Sequence, residues 1–155
     1  ESLNVNEILD SALNLLHHQI DLGNIQIVKE TSSKVPDIYG NRNQLQEVFF
    51  NLIHNAYKAM RDKERGTLTI ISRSDLNKIE VKIQDTGKGI PKEDLPHLFT
   101  PFFTSTSQTL TGREGYGLGL FVCQKIIMAH GGNISIDSML GEGTTFTVTL
   151  PIAKT

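Results

Sequence analysis

The sequence predicts a two-layer α/β sandwich, in which a mixed, mainly antiparallel sheet of about five strands is covered on one face by three helices. Three observations carry this expectation. Ile79, Val81 and Ile83 alternate with Glu80, Lys82 and Gln84, which marks a strand with one buried and one wet face. Three longer segments place apolar residues at the three-and-four spacing of a helix buried along one side. The order of elements mixes hairpins with helical crossovers, and strands with a single apolar face need helices on that face only.

Residues 5–22 form the first amphipathic helix, with Ile8, Leu9, Ala12, Leu15, Leu16 and Ile20 on one side, Asn4 or Asn6 as its cap, and Gly23 as its stop. Residues 25–30 read as a strand, and residues 35–41 turn the chain into a long helix. In that helix Leu45, Val48, Phe49, Leu52, Ile53, Ala56 and Met60 form the buried stripe. Glu47, Asn51, Asn55 and Lys58 share an opposing arc of roughly 80°. Residues 67–72 and 78–84 are strands joined by a hairpin turn at Leu76–Lys78, residues 92–99 form a short helix, and residues 100–117 make a long loop rich in Thr, Ser and Gly. Residues 118–130 resume helical spacing until Gly131–Gly132 stops them, and residues 134–138 and 144–150 supply a final strand pair.

At 155 residues, with 38% hydrophobic and 21% charged side chains, the chain has the size and composition of one domain, 1–155, with a real core. Its 15 basic and 17 acidic side chains are interspersed, which argues against nucleic acid as the main ligand. The single cysteine, Cys123, lies in the apolar run 118–128 and suits a small core side chain in a reducing compartment. No run has the length of a membrane span and the N-terminus lacks the layout of a secretion signal, so the expectation is a cytoplasmic segment without direct membrane contact.

The chemistry concentrates on three features. Two asparagines one turn apart are poor helix formers for a merely solvated face, yet amide oxygens suit a hard cation and amide nitrogens donate hydrogen bonds. Asp85-Thr86-Gly87-Lys88-Gly89-Ile90 begins where an alternating strand ends, placing a carboxylate beside glycines that let the backbone turn tightly. Such an Asp can accept from an exocyclic amine of the kind adenine offers. Gly115-Tyr116-Gly117-Leu118-Gly119-Leu120 opens a helix, whose free N–H groups suit phosphate oxygens. It lacks the strand directly before it that a dinucleotide fold requires and the Gly-Lys-Ser/Thr ending of a P-loop. Taken singly, each feature also fits a solvated helix face or an ordinary turn.

Taken in order, Asn51-x-x-x-Asn55, Asp85-x-Gly87-x-Gly89, the block Phe99–Phe103, Gly115-x-Gly117-Leu118-Gly119-Leu120 and Gly141-x-Gly143-Thr144-Thr145-Phe146 resemble the N, G1, F, G2 and G3 boxes of sensor histidine kinases. The resemblance spans nearly the whole chain. It implies the catalytic ATP-binding module of a two-component kinase, with the Bergerat fold shared by gyrase, a heat-shock chaperone and mismatch-repair ATPases. By that resemblance Asn55 holds Mg²⁺ against the triphosphate of ATP, Lys58 contacts a phosphate, and Asp85 reads the adenine amine. Glu47 and Asn51 belong to the same catalytic box. Gly87, Gly89 and Ile90 shape the base pocket, with Phe102 and Tyr116 beside the nucleotide. Gly117, Leu118, Gly119 and Leu120 present backbone to the phosphates, and Thr145 lies near the adenine and Asp85. Residues 100–117 become an ATP lid.

Two departures qualify the likeness. Where ATP-hydrolysing relatives resemble one another in a water-activating Glu, this chain has Asn51, which takes no proton at neutral pH, so hydrolysis should be slow. Thr106 stands where many similar sequences carry a lysine, leaving Arg113 as the lid's cation. His17-His18 does not match the family's phosphoacceptor pattern. The resemblance therefore implies two partners, a dimerising phosphoacceptor histidine domain upstream in the parent chain and the receiver domain of a response regulator. A serine kinase of the anti-sigma type and a clamp-type ATPase are the alternatives on the same fold.

Overall fold

The computed structural model describes residues 1–19, 23, 25–62, 65–100 and 118–153. The elements are β1 (Ser2–Leu3), α1 (Val5–Gln19), β2 (Ile25–Thr31), β3 (Ile38–Tyr39), α2 (Arg42–Met60), β4 (Gly66–Ser74), β5 (Lys78–Asp85), a 3-10 helix (Lys92–His97), α3 (Leu118–Ala129), β6 (Asn133–Met139) and β7 (Gly143–Pro151). Five strands form one sheet in the order β2-β4-β5-β7-β6. Only β2 and β4 run parallel, joined through α2, and the other neighbours are antiparallel. The sheet is thus mixed and mainly antiparallel, as the alternation predicted.

The helices lie on one face because the strands are apolar on one face. In β5 Ile79, Val81, Ile83 and Asp85 are buried, and in β7 Thr144, Phe146, Val148 and Leu150 are buried, while their neighbours face outward. Helix α2 packs between α1 and α3 and across the middle of the sheet, with Leu45, Val48, Phe49, Leu52, Ile53, Ala56 and Met60 buried as the spacing predicted. At about 25 cal/mol per Å² of apolar surface removed from water, this stripe is a main source of the fold's stability.

Caps fix where the helices begin. Asn4, rather than Asn6, caps α1: its Oδ1 accepts from Asn6 N–H at 2.9 Å. Asn6 instead ties the helix to the sheet edge, accepting from Ser72 Oγ–H at 2.7 Å and donating to Ser32 O at 2.8 Å. Asn41 caps α2, with Oδ1 accepting from Gln44 N–H at 3.0 Å. His130, just past α3, reaches back to the start of α2: its Nε2 accepts from Asn41 N–H at 3.1 Å while Nδ1 lies 2.8 Å from Ile126 O. A backbone N–H only donates, so Nε2 carries the lone pair and Nδ1–H donates. A Cβ at Gly40 would meet this ring at 2.5 Å.

Two details differ from the expectation. The two-residue ladder between β1 and β3, Ser2 opposite Tyr39 and Leu3 opposite Ile38, is too short to leave an alternation. The segment expected as a short helix over 92–99 is 3-10 over Lys92–His97, with Pro96 inside it. The end of the first predicted helix, residues 20–22, and the predicted lid beyond Thr100 lie outside the described residues. Among the described residues no helix is long and apolar enough to cross a membrane.

Candidate nucleotide site

The polar flank of α2 begins the site. Asn51, Asn55 and Lys58 are half-buried and Glu47 is exposed, all on the side of the helix away from its apolar stripe. The cap at Asn41 and the clasp of His130 hold the entry to this helix, and α3 packs alongside it.

The end of β5 brings the second part. Asp85 is only 6% exposed, and its Oδ1 accepts from Gly87 N–H at 2.8 Å, an Asx turn that fixes the carboxylate at the strand's end. The following loop then docks on the last turn of α2. A Cβ at Gly87 would lie 2.7 Å from both the Cβ and the carbonyl oxygen of Ala59, and Lys88 N–H donates to Ala59 O at 3.2 Å. Ala59 directly follows Lys58, so the Asp85 corner and the asparagine flank are joined through backbone at this point.

The β6–β7 hairpin closes the loop from the other side. Gly89 has φ +74°, and a Cβ there would collide with Met139 O. Gly143, at φ +139°, passes against Asp85 O with no room for a side chain. Both positions combine the left-handed region with close backbone approach, two independent reasons for glycine. Gly141 N–H donates to Lys88 O at 2.7 Å, and Ile90 N–H donates to Ser138 Oγ at 2.9 Å. Ser138 also donates to Gly143 O at 3.0 Å and lies 2.8 Å from Thr144 Oγ1. This hydroxyl therefore links three segments.

Strand parity tells Thr144 from Thr145. Asp85 is the register partner of Thr144, whereas Thr145 sits opposite Gln84 and Asp137. Successive side chains of a strand point to opposite faces, so Thr144, 5% exposed, shares Asp85's face and Thr145 is turned to the open one. Thr145 lines a shallow depression with Gln84, Asp137 and Glu142, which Asp85 and Thr144 also border. The Phe146, Val148, Leu150 alternation already in the sequence assigns Thr144 to the core face; counting it back two residues was the available signal. Ser138, Ala59 and Thr86 left no signal of their own, since each acts by a long-range contact. Thr86 Oγ1, for instance, accepts from Thr67 N–H at 3.0 Å.

The third part is the start of α3. Leu118 begins the helix, Leu120 is half-buried, and a Cβ on Gly119 would meet nothing within 4 Å. Glycine in a helix costs about 1 kcal/mol relative to alanine, and neither φ nor packing within the described residues requires it here. Space over a helix N-terminus, bordered by free N–H groups, is what an anion's close approach needs. Phe102, Arg113, Tyr116 and Gly117, expected at the nucleotide, lie outside the described residues.

A buried carboxylate with a polar hydroxyl beside it, a half-buried amide and lysine flank, and a helix start with no described residue over its glycine can together address a base, a cation and phosphates. Comparison with known proteins agrees. The family model described as histidine kinase-, DNA gyrase B-, and HSP90-like ATPase matches residues 40–154. The adaptive-response sensory kinase SasA of Crocosphaera subtropica is 38% identical over 130 residues, covering 84% of this chain and 33% of that protein. Sporulation kinase E of Bacillus subtilis is 36% identical over 154 residues, covering 99% of this chain and 20% of that protein. This chain thus spans about a third and a fifth of the two relatives. The nucleotide-free catalytic domain of histidine kinase ThkA superposes with a TM-score of 0.83 at 30% identity, over 99% of this chain and 98% of that one. The chain belongs to the histidine kinase-, DNA gyrase B- and HSP90-like ATPase family.

Proposed function

We propose that this chain is the ATP-binding catalytic domain of a two-component sensor histidine kinase, delivering the γ-phosphate of ATP to a histidine on a separate phosphoacceptor domain. The observation that supports this reading is the docking of the Asp85–Gly89 corner on Ala59, the residue that follows Lys58 in the polar-flanked helix. Longer proteins that contain a segment like this one are named kinases, and histidine kinase ThkA has been solved in complex with the response regulator protein TrrA. By that likeness we assign the parent protein a response regulator receiver domain as partner, and its phosphoacceptor domain a place upstream of this segment. The segment works on the cytoplasmic side.

The donor set suits Mg²⁺. That ion prefers oxygen ligands and keeps phosphates and waters as most of its shell, so a neutral amide oxygen such as Asn55 Oδ1 is a sufficient protein ligand. When bound, the metal neutralises charge on the triphosphate. The chain's own groups do the rest. Asp85 accepts from the adenine amine, with Thr144 rather than Thr145 as the hydroxyl at that end. Lys58 and Arg113 meet phosphate charge, Gly117–Leu120 present N–H groups to phosphate oxygens, and Ile90, Phe102 and Tyr116 flank the nucleotide. Phosphoryl transfer asks mainly for alignment and charge stabilisation, which such a set supplies. Asn51 cannot remove a proton from water, which favours transfer to a protein acceptor over the clamp-type ATPase reading. A histidine acceptor rather than serine is supported by the likeness to histidine kinase ThkA.

The test is Asn55→Ala, mixed with a dimerising phosphoacceptor domain and labelled ATP. Mg²⁺-dependent labelling of the histidine should disappear while the circular dichroism spectrum stays unchanged. Undiminished labelling would remove Asn55 from the metal site.

A further inference from the structure

Cys123 is fully buried on α3 and faces the polar flank of α2 rather than the apolar core alone. Its Sγ–H donates to Val48 O at 3.8 Å, and Asn51 Nδ2–H donates to Sγ at 3.8 Å. With that one proton committed to Val48 O, the sulfur can only accept, and the end of the Asn51 amide that faces it must be the NH₂. The orientation of Asn51 is therefore dictated from α3. Among the described residues nothing donates to its Oδ1, so the thiol's grip leaves the oxygen as the outward end of the amide, one turn before Asn55.

We propose that Cys123 is a positioning residue for the nucleotide reaction: by holding Asn51 Nδ2 it presents Asn51 Oδ1 to the Mg²⁺·triphosphate. The inference rests on the nucleotide reading above and adds a second oxygen donor, set by a residue that touches neither metal nor nucleotide. It also gives the packing of α3 against α2 a chemical consequence. The two helices share one hydrogen-bonded chain, Asn51 to Cys123 to Val48, so displacement of α3, whose N-terminus lies at the phosphate end, reaches the amide directly.

Three substitutions separate positioning from packing. Cys123→Ser keeps a donor and an acceptor; Cys123→Val fills the volume without either; Cys123→Ala supplies neither. Each is checked for folding by urea unfolding. In nitrogen-labelled protein without nucleotide, the two side-chain amide protons of Asn51 should hold their wild-type separation in the serine variant and lose it in the valine and alanine variants. Affinity for Mg²⁺·ATP should stay within about twofold for serine and fall about five- to tenfold for valine and alanine. In an Asn51→Ala background the same changes at Cys123 should have no further effect on affinity. Wild-type affinity in the valine variant, an unmoved Asn51 amide in the alanine variant, or a loss that persists without Asn51 would each overturn the proposal. If the unsubstituted chain binds no Mg²⁺·ATP, the nucleotide reading fails first and the positioning role with it, even where the Asn51 amide still responds to Cys123.

Discussion

Replacing Thr144 by valine asks whether strand parity sets the adenine end of the site. The hydroxyl is buried on Asp85's face and lies 2.8 Å from Ser138 Oγ. Ser138 already accepts from Ile90 N–H and donates its only proton to Gly143 O, so Thr144 is the donor between the two hydroxyls. Valine keeps the shape and removes that one bond from a Ser138 that retains its other two. The loss should be about 1 kcal/mol of stability, the net worth of one buried neutral hydrogen bond. Because the same hydroxyl stands at the adenine end, ATP affinity should fall by a further factor of about five. Thr145→Val, on the opposite face and half-buried, should change stability by less than about 0.5 kcal/mol and leave ATP affinity alone. Urea unfolding midpoints and calorimetric ATP titration on both variants make the comparison. Equal effects of the two substitutions, or a larger effect at Thr145, would refute the argument from parity.

Three further outcomes follow from the same geometry. Asp85→Asn keeps an oxygen for Gly87 N–H but loses the charge that accepts from the adenine amine, so ATP should bind about ten- to a hundredfold more weakly, and discrimination against GTP should shrink; equal affinity of the unsubstituted protein for ATP and GTP would contradict the assignment. Asn41→Ala removes the α2 cap and should cost about 1 kcal/mol, read as a melting temperature lower by roughly 2–4 °C; no change would mean that His130 alone holds the helix start. The Asp75 carboxylate accepts from Asn77 N–H and Lys78 N–H, which hold its pKa below the ordinary carboxylate value. A depressed folded-state value contributes stability that is full above the unfolded pKa, about 4, and is lost as pH falls through the lowered one. The carboxyl carbon of Asp75 should therefore titrate below the usual range by NMR, and Asp75→Asn should flatten that part of the acid-stability curve.

The sequence made the architecture legible because its long elements are strongly periodic. The stripe from Leu45 to Met60 and the alternation through Ile79–Gln84 each repeat often enough to fix element type and buried face. Two-residue strands such as Ser2–Leu3 repeat nothing, and their pairing with Ile38–Tyr39 depends on residues far along the chain. The site was legible in kind, since the Asp-x-Gly-x-Gly corner and the asparagine pair state their chemistry through residue type. It was less legible in detail. Thr144 and Thr145 are the same residue side by side, and only the register against Asp85 tells them apart. Cys123 reads as a core residue, which it is; its hold on Asn51 spans 72 positions and belongs to the packing of α3 on α2.

The most direct test of the whole account is an NMR titration of the chain with ATP in the presence of Mg²⁺. Saturable shifts are expected, centred on the Asn55 side-chain amide, the Asp85–Ile90 backbone and Gly119, with the Asn55 response requiring the metal. Shifts confined to the outer face around Gln84, Asp137 and Thr145, or no shifts at all, would contradict it.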